Sequence, residues 1–243
     1  MVDAAARKPY LKVMCGFSRR FDESYGDAFQ KVGEGLIGSP AVFRSQTCDM
    51  WDPSGSFIAY AEFSGGIFVD CSIHDIDLCL WFFGRGAKVK SVSAVGVTAM
   101  AQELRKYNDR DNAVGLVEFW DDKVAYFYCS RMMAAGQEDT TEIIGTKGKL
   151  TVNMAPTKNL VSMHVTGGVK KEIPQDYFQR FEKAFVTEGT EFVKACLDNT
   201  ELVLDLQEAV RAVNIGCALQ DSLISGKKIE FDEAGSRKAK AML

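Results

Sequence analysis

The hydrophobic period of this chain switches from helical spacing to strict alternation and back, and that switch limits the folds open to it. Across residues 68–83 apolar and polar residues recur at helical spacing, and Gly84-Arg-Gly86 closes the run. The period then becomes two: residues 89–98, 112–120, 124–131, 140–144 and 149–152 alternate as half-buried strands do. Asp121-Asp122 and Gly145-Thr-Lys-Gly148 have the composition of hairpin turns, and two shorter strands are predicted around 160–165 and 170–173. Residues 178–197 and 203–223 return to apolar positions at i, i+3, i+4 and i+7, joined by Leu197-Asp-Asn-Thr200. Strands enclosed by helices predict an α+β domain with a large, open, mainly antiparallel sheet.

The first third is less regular. Residues 11–17 form an apolar run of strand length, residues 22–36 read as a helix with Asp22 as N-cap, and residues 41–47 as a strand. Residues 51–64 are aromatic and irregular, the kind of segment that borders ligand sites. No strand–helix–strand alternation opens the chain. Residues 33–38 do spell Gly-Glu-Gly-Leu-Ile-Gly, a literal G-x-G-x-x-G. A pyrophosphate cradle requires a strand before that motif and a helix opening on it. Here the order is inverted, with helix before and Ser39-Pro40 and strand after, so these glycines read as helix-end and turn residues.

A net charge of -4 with both signs interspersed gives no case for nucleic acid or an anionic membrane. No apolar run approaches the length of a bilayer span, and a cytoplasmic protein is the expectation. The seven cysteines are scattered, without Cys-x-x-Cys, and are read as reduced core residues.

The segment richest in chemistry is Ser64-Gly-Gly-Ile-Phe-Val-Asp-Cys-Ser-Ile-His-Asp-Ile-Asp77. On a regular helix Asp70, His74 and Asp77 fall at i, i+4 and i+7, on one face. An imidazole beside two carboxylates is a proton-transfer unit suited to neutral pH. The same trio also suits a solvated helix face, a brace for neighbouring loops, or a metal site too generic to name an ion.

This segment resembles the signature of the Gfo/Idh/MocA oxidoreductases, in which a Gly-Gly pair leads into Asp-x-x-x-His-x-x-Asp. Three other segments resemble the family in the same order: Val13-Met-Cys-Gly-Phe-Ser-Arg-Arg-Phe-Asp22, Glu142-Ile-Ile-Gly-Thr-Lys-Gly-Lys-Leu150, and the late helix from Phe178. The resemblance implies a sheet of the dihydrodipicolinate-reductase C-terminal type, with helices on one face and the other packed on a second subunit in a homodimer or homotetramer. It implies His74 as general acid/base, Asp70 as its catalytic partner positioning substrate, and Arg19 or Arg20 at the substrate or cofactor edge. Asp77 would bind substrate or hold its helix in place, and Tyr177 would touch a sugar, polyol or other oxygenated small molecule. NAD or NADP is the implied cofactor.

The family's N-terminal Rossmann domain and its Glu-Lys-Pro segment have no counterpart here, and Lys8-Pro9 stands too close to Gly16 to replace the latter. The expected organisation is a lead-in (1–10), a substrate-binding and oligomerisation domain (11–228) and a charged tail (229–243), without a nucleotide domain. Three functions fit: the substrate domain of a sugar or polyol dehydrogenase, a cofactor-independent isomerase, cyclase or lyase using the same pocket, and a non-catalytic dimerisation or ligand-binding module.

Overall fold

The computed structural model describes residues 2–238. A short helix α1 (Val2–Ala6), an extended stretch and a 3-10 turn (Ser18–Phe21) lead to helix α2 (Glu23–Gly33) and strand β1 (Pro40–Met50). Three helices follow, α3 (Ser56–Tyr60), α4 (Ile67–Asp70) and α5 (Ile73–Phe83). Next come β2 (Val89–Val97), β3 (Asn112–Phe119), β4 (Val124–Met133), β5 (Glu138–Gly145) and β6 (Lys149–Val152). A hairpin of β7 (Ser162–Val165) and β8 (Gly168–Lys171) precedes the long helices α6 (Tyr177–Leu197) and α7 (Leu206–Ser225), and β9 (Ile229–Glu230) ends the fold.

Seven strands form one sheet in the order β6-β5-β1-β4-β3-β2-β9. Every neighbouring pair is antiparallel except β1 and β4, which run parallel in its centre. A parallel pair needs a long crossover, and α3–α5 with strands β2 and β3 lie between these two strands and provide it. Helices α5 and α7 cover one face, where Phe43, Val117, Phe127 and Ile143 are fully buried against Phe68, Ile76 and Leu219. Each such side chain contributes about 1.5–3 kcal/mol by leaving water. Gly115 permits the close approach, since a Cβ there would stand 2.8 Å from the Phe68 ring. The opposite face carries Val95, Val97 and Leu116 at 69, 61 and 47 % exposure.

Asp22 caps α2 as its residue type predicts, accepting from the backbone N–H groups of Ser24 and Tyr25. Three expectations fail. Residues 11–17 join no sheet: Lys12 Nζ donates to the Thr200 carbonyl at 2.7 Å and Gly16 lies against Glu188, so the run packs on α6 and the α6–α7 link through side chains. The charged tail starts later than residue 229, because β9 pairs with β2 and Phe231 is buried; residues 239–243 lie outside the described part. The helix predicted over 68–83 is broken between Asp70 and Ile73. There the Ser72 N–H donates to the Ile67 carbonyl, five residues back, forming a π-type turn.

The glycine-rich segment docks on the β5–β6 hairpin. Gly33 ends α2, Gly35 and Gly38 take positive φ (75° and 71°), and the Ile37 carbonyl accepts from the Lys147 N–H at 2.9 Å. It is a helix-to-strand turn.

Candidate active site

The π-type turn sets the phase of the site. At about 100° per residue, one absorbed residue keeps His74 and Asp75 within about 60° of Asp70 but swings Asp77 to the far side. The side chains obey this. Asp70 and His74 line a cavity of about 420 Å³ together with Arg19 and Tyr177. Asp77 is absent from its lining and receives a bidentate pair from Arg20, at 2.6 and 2.8 Å. Arg20 also donates to Glu208 of α7 at 2.8 Å and stacks on Trp81. Of the places expected for them, Arg20 is not at the substrate edge of this cavity and Asp77 is at the helix-holding one: the pair ties the 3-10 turn to α5 and α7.

Beneath the cavity Arg19 is enclosed by acids. It donates to Asp75 at 2.8 Å, to Asp139 at 2.6 Å and to the Thr47 hydroxyl at 2.7 Å, and its guanidinium faces the Phe181 ring. Asp75 in turn accepts from Ser45 and Thr47. The strands β1 and β5, the kinked α4–α5 pair and the 3-10 turn are thus joined by one buried polar cluster. Such a cluster fixes the height of α5, and with it His74, above the sheet.

Asp70 is oriented by Arg131 at the end of β4, whose Nη2 donates to Oδ2 at 2.7 Å. Arg131 is buried, lies over the Phe57 ring and faces Asp109 at 3.9 Å. Sequence reasoning alone does not single out Arg131, Asp49, Gln137 or Cys71, all of which line the cavity. For Arg131 a signal exists: it is the charged residue closing an otherwise apolar alternating strand. Phe57, in the aromatic segment singled out from sequence, also forms part of the wall.

The His74 ring packs edge-on to Phe17, and its Nδ1 is shielded from solvent without a hydrogen-bond partner. Burial, helped by the positive charge of Arg19, holds the imidazole down to about 3, so it is neutral near pH 7. A neutral ring offers one lone-pair nitrogen to a hydroxyl proton. An unfolded histidine takes a proton near pH 6.5 and the folded one resists until about pH 3, so stability from this group is lost as pH falls through that window. The stability difference between the wild type and His74→Gln should therefore shrink by about 2 kcal/mol from pH 6.5 to 4.5 in urea unfolding. A pH-independent difference would show that His74 is not held neutral.

Cys71 is buried in the wall and burial pushes its thiol well up, which removes thiolate chemistry from the site. The seven cysteines are free; Cys48, Cys71, Cys79 and Cys129 are buried as expected, whereas Cys196 is exposed. Among the described residues no group of three or more metal-ligating side chains is gathered, and no helix is long and apolar enough to cross a membrane.

Comparison with known proteins agrees with this architecture. The profile of the GFO/IDH/MocA C-terminal domain matches residues 25–151. Scyllo-inositol 2-dehydrogenase (NAD(+)) of Bacillus subtilis (strain 168) is 32 % identical over 224 residues, covering 90 % of this chain and 63 % of that protein. Myo-inositol 2-dehydrogenase of Thermotoga maritima is 26 % identical over 93 % of this chain and 66 % of its own length. The structure of scyllo-inositol dehydrogenase from Lactobacillus casei with bound NAD(H) and scyllo-inositol superposes with a TM-score of 0.88. It is 33 % identical, and the match covers 94 % of this chain and 67 % of that one. The chain spans 63–66 % of the length of these curated relatives.

Proposed function

Because this chain belongs to the GFO/IDH/MocA family, we propose that it forms the part of a nicotinamide-dependent inositol dehydrogenase that binds the polyol and handles its hydroxyl proton. The observation carrying this reading is the convergence of Asp70 and the neutral, unpartnered His74 on one cavity floored by a fixed charge cluster.

Oxidation of a secondary alcohol removes a proton from oxygen and a hydride from carbon. His74 is suited to the proton, because a neutral imidazole accepts it on its lone-pair nitrogen and in the reverse direction returns it. Asp70, its carboxylate steered by Arg131, accepts from a ring hydroxyl. Arg19 has both terminal nitrogens engaged by protein acceptors, so it acts as a brace and a field source rather than a grip on the ring. Tyr177, half exposed at the rim, offers a phenol and a ring face to the substrate.

NAD, when bound, supplies the hydride acceptor. The described residues do not fit its pyrophosphate: the glycine turn at 33–38 ends a helix and packs on a hairpin, and a Cβ at Gly38 would meet Thr146, not open space. The described residues are thus assigned the polyol and its hydroxyl proton. We also assign the bare sheet face bearing Val95, Val97 and Leu116 to a second copy, since an apolar face of this kind is costly in water.

Calorimetric titration with scyllo-inositol tests the reading. Binding by the wild type should weaken at least about tenfold in both His74→Ala and Asp70→Asn, roughly 1.4 kcal/mol, with the fold intact by circular dichroism. Equal affinity in all three proteins would contradict it.

A further inference from the structure

Most of the Asp70–His74 cavity is built on the sheet and the helices packed against it, but one part of its wall is not. Phe57 lines the cavity from α3, in the segment that joins β1 to α4. This segment stands apart from the main core. Its Ala61 clusters with Ala101 and Leu104 of the β2–β3 connection, and Phe57 and Ile58 pack on that small cluster. We propose that residues 51–64 and 98–108 form one lid, which opens and closes over the polyol as a unit held together by this core of its own. The proposal rests on the reading of the Asp70–His74 cavity as a polyol site.

Segments that share a core open together, and a small separate core opens more readily than the main one. Leu104, Ala101 and Ala61 are 0, 1 and 5 % exposed, so two segments distant in sequence hold each other. On the outside Tyr60, Phe63 and Met100 remain exposed. The backbone bonds of each segment are largely internal. Ala59 and Ala61 donate to the Gly55 and Ile58 carbonyls, and Leu104 and Asn108, in and after a 3-10 stretch (Gln102–Tyr107), donate to those of Ala101 and Arg105. The lid can therefore move without breaking them.

Its joints are buried carboxylates. Asp111, just before β3, accepts from the backbone N–H groups of Ala99, Met100 and Ala101 at 2.8, 2.6 and 2.9 Å. Asp109 accepts from the Ile67 N–H at 2.8 Å. Both acids are fully buried, and they pin the two ends of the second segment to β3 and to α4. Phe57 is the point where the lid meets the chemistry. The Arg131 guanidinium, which steers Asp70, lies over its ring at 5.5 Å. Closure thus seats Arg131, and through it Asp70, while it excludes water from the polyol.

Amide hydrogen exchange followed by NMR on the whole chain, with and without scyllo-inositol, tests the lid. In the free protein Ala59 and Ala61 should show the protection of Leu104 and Asn108 to within about threefold, because one opening exposes all four. Scyllo-inositol at ten times its Kd should slow all four by about tenfold. Leu104→Ala, outside the cavity lining, should speed both segments by at least about tenfold. Val117→Ala, in the main core, should leave both as they are. The wild-type comparison needs no variant, so a misfolded Leu104→Ala does not spare the proposal. Unequal protection in the wild type, a Leu104→Ala effect confined to the second segment, or a Val117→Ala effect on both would each overturn the lid. If scyllo-inositol binds in a His74-dependent manner and the four amides do not respond, the lid is overturned while the polyol reading stands. If scyllo-inositol does not bind, both are overturned.

Discussion

Replacing Arg19 by methionine should destabilise the protein by about 3–5 kcal/mol, a large part of the stability of a domain this size. The arginine is 3 % exposed and its two principal partners, Asp75 and Asp139, are fully buried. Methionine fills much of the volume but leaves two carboxylates inside the protein without a cation. Removing one partner of a buried ion pair costs more than the pair contributes, because the desolvated charge that remains has nowhere to go. Asp139 already has one oxygen without a partner, so the cluster holds no spare donor to compensate. Urea denaturation should show the transition midpoint falling sharply with little change in slope. The double variant Arg19→Met with Asp75→Asn should recover part of the loss, since one stranded charge is gone. A loss below about 1 kcal/mol would mean that the cluster is hydrated in solution and does not fix the height of α5.

Gly66→Ala should cost about 3 kcal/mol or more and should disturb the site as well as the fold. Gly66 precedes α4 with φ 89° and ψ 170°, a conformation open essentially to glycine alone. A Cβ there would also fall 2.2 Å from the Gln220 side chain amide, which is itself buried and donates to the Asn108 carbonyl. Backbone strain of about 1–3 kcal/mol therefore adds to a steric clash in a packed region. The helix that Gly66 opens ends at Asp70, so any retreat of α4 from α7 moves the carboxylate. Gly55→Ala is the control: φ is 72°, but open space surrounds the new methyl. It should cost about 1 kcal/mol, and thermal unfolding of the two variants separates conformational strain from close approach. Equal losses would show that the α4–α7 contact yields easily.

The strands are legible in the sequence because alternation is a local signal. Residues 149–152 are legible to the residue, and 89–98, 112–120 and 124–131 to within two positions, because each pairs one buried face with one open face. The parallel contact of β1 with β4 is not legible, since nothing local in either strand names a partner some eighty residues away. The same limit explains the site. Asp70 and His74 stand out as a pair on one helix, and they do share the cavity. Asp77 resembles them in spacing, but a π-type turn at Ser72, invisible to a period of 3.6, turns it to Arg20. Asp75 gives no signal of its own, because it falls outside the i, i+4, i+7 spacing of Asp70, His74 and Asp77. Only the folded chain brings Arg19 to it from 56 residues away. Residues 11–17 show the converse error, an apolar run that rests against α6 and the α6–α7 link and joins no sheet.

A crystal structure of the protein soaked in scyllo-inositol tests the polyol site most directly. One ring is expected in the Asp70–His74 cavity, with a hydroxyl oxygen within about 3 Å of a His74 ring nitrogen and a second hydroxyl donating to Asp70. An empty cavity at saturating polyol, or a ring bound elsewhere on the chain, would contradict it.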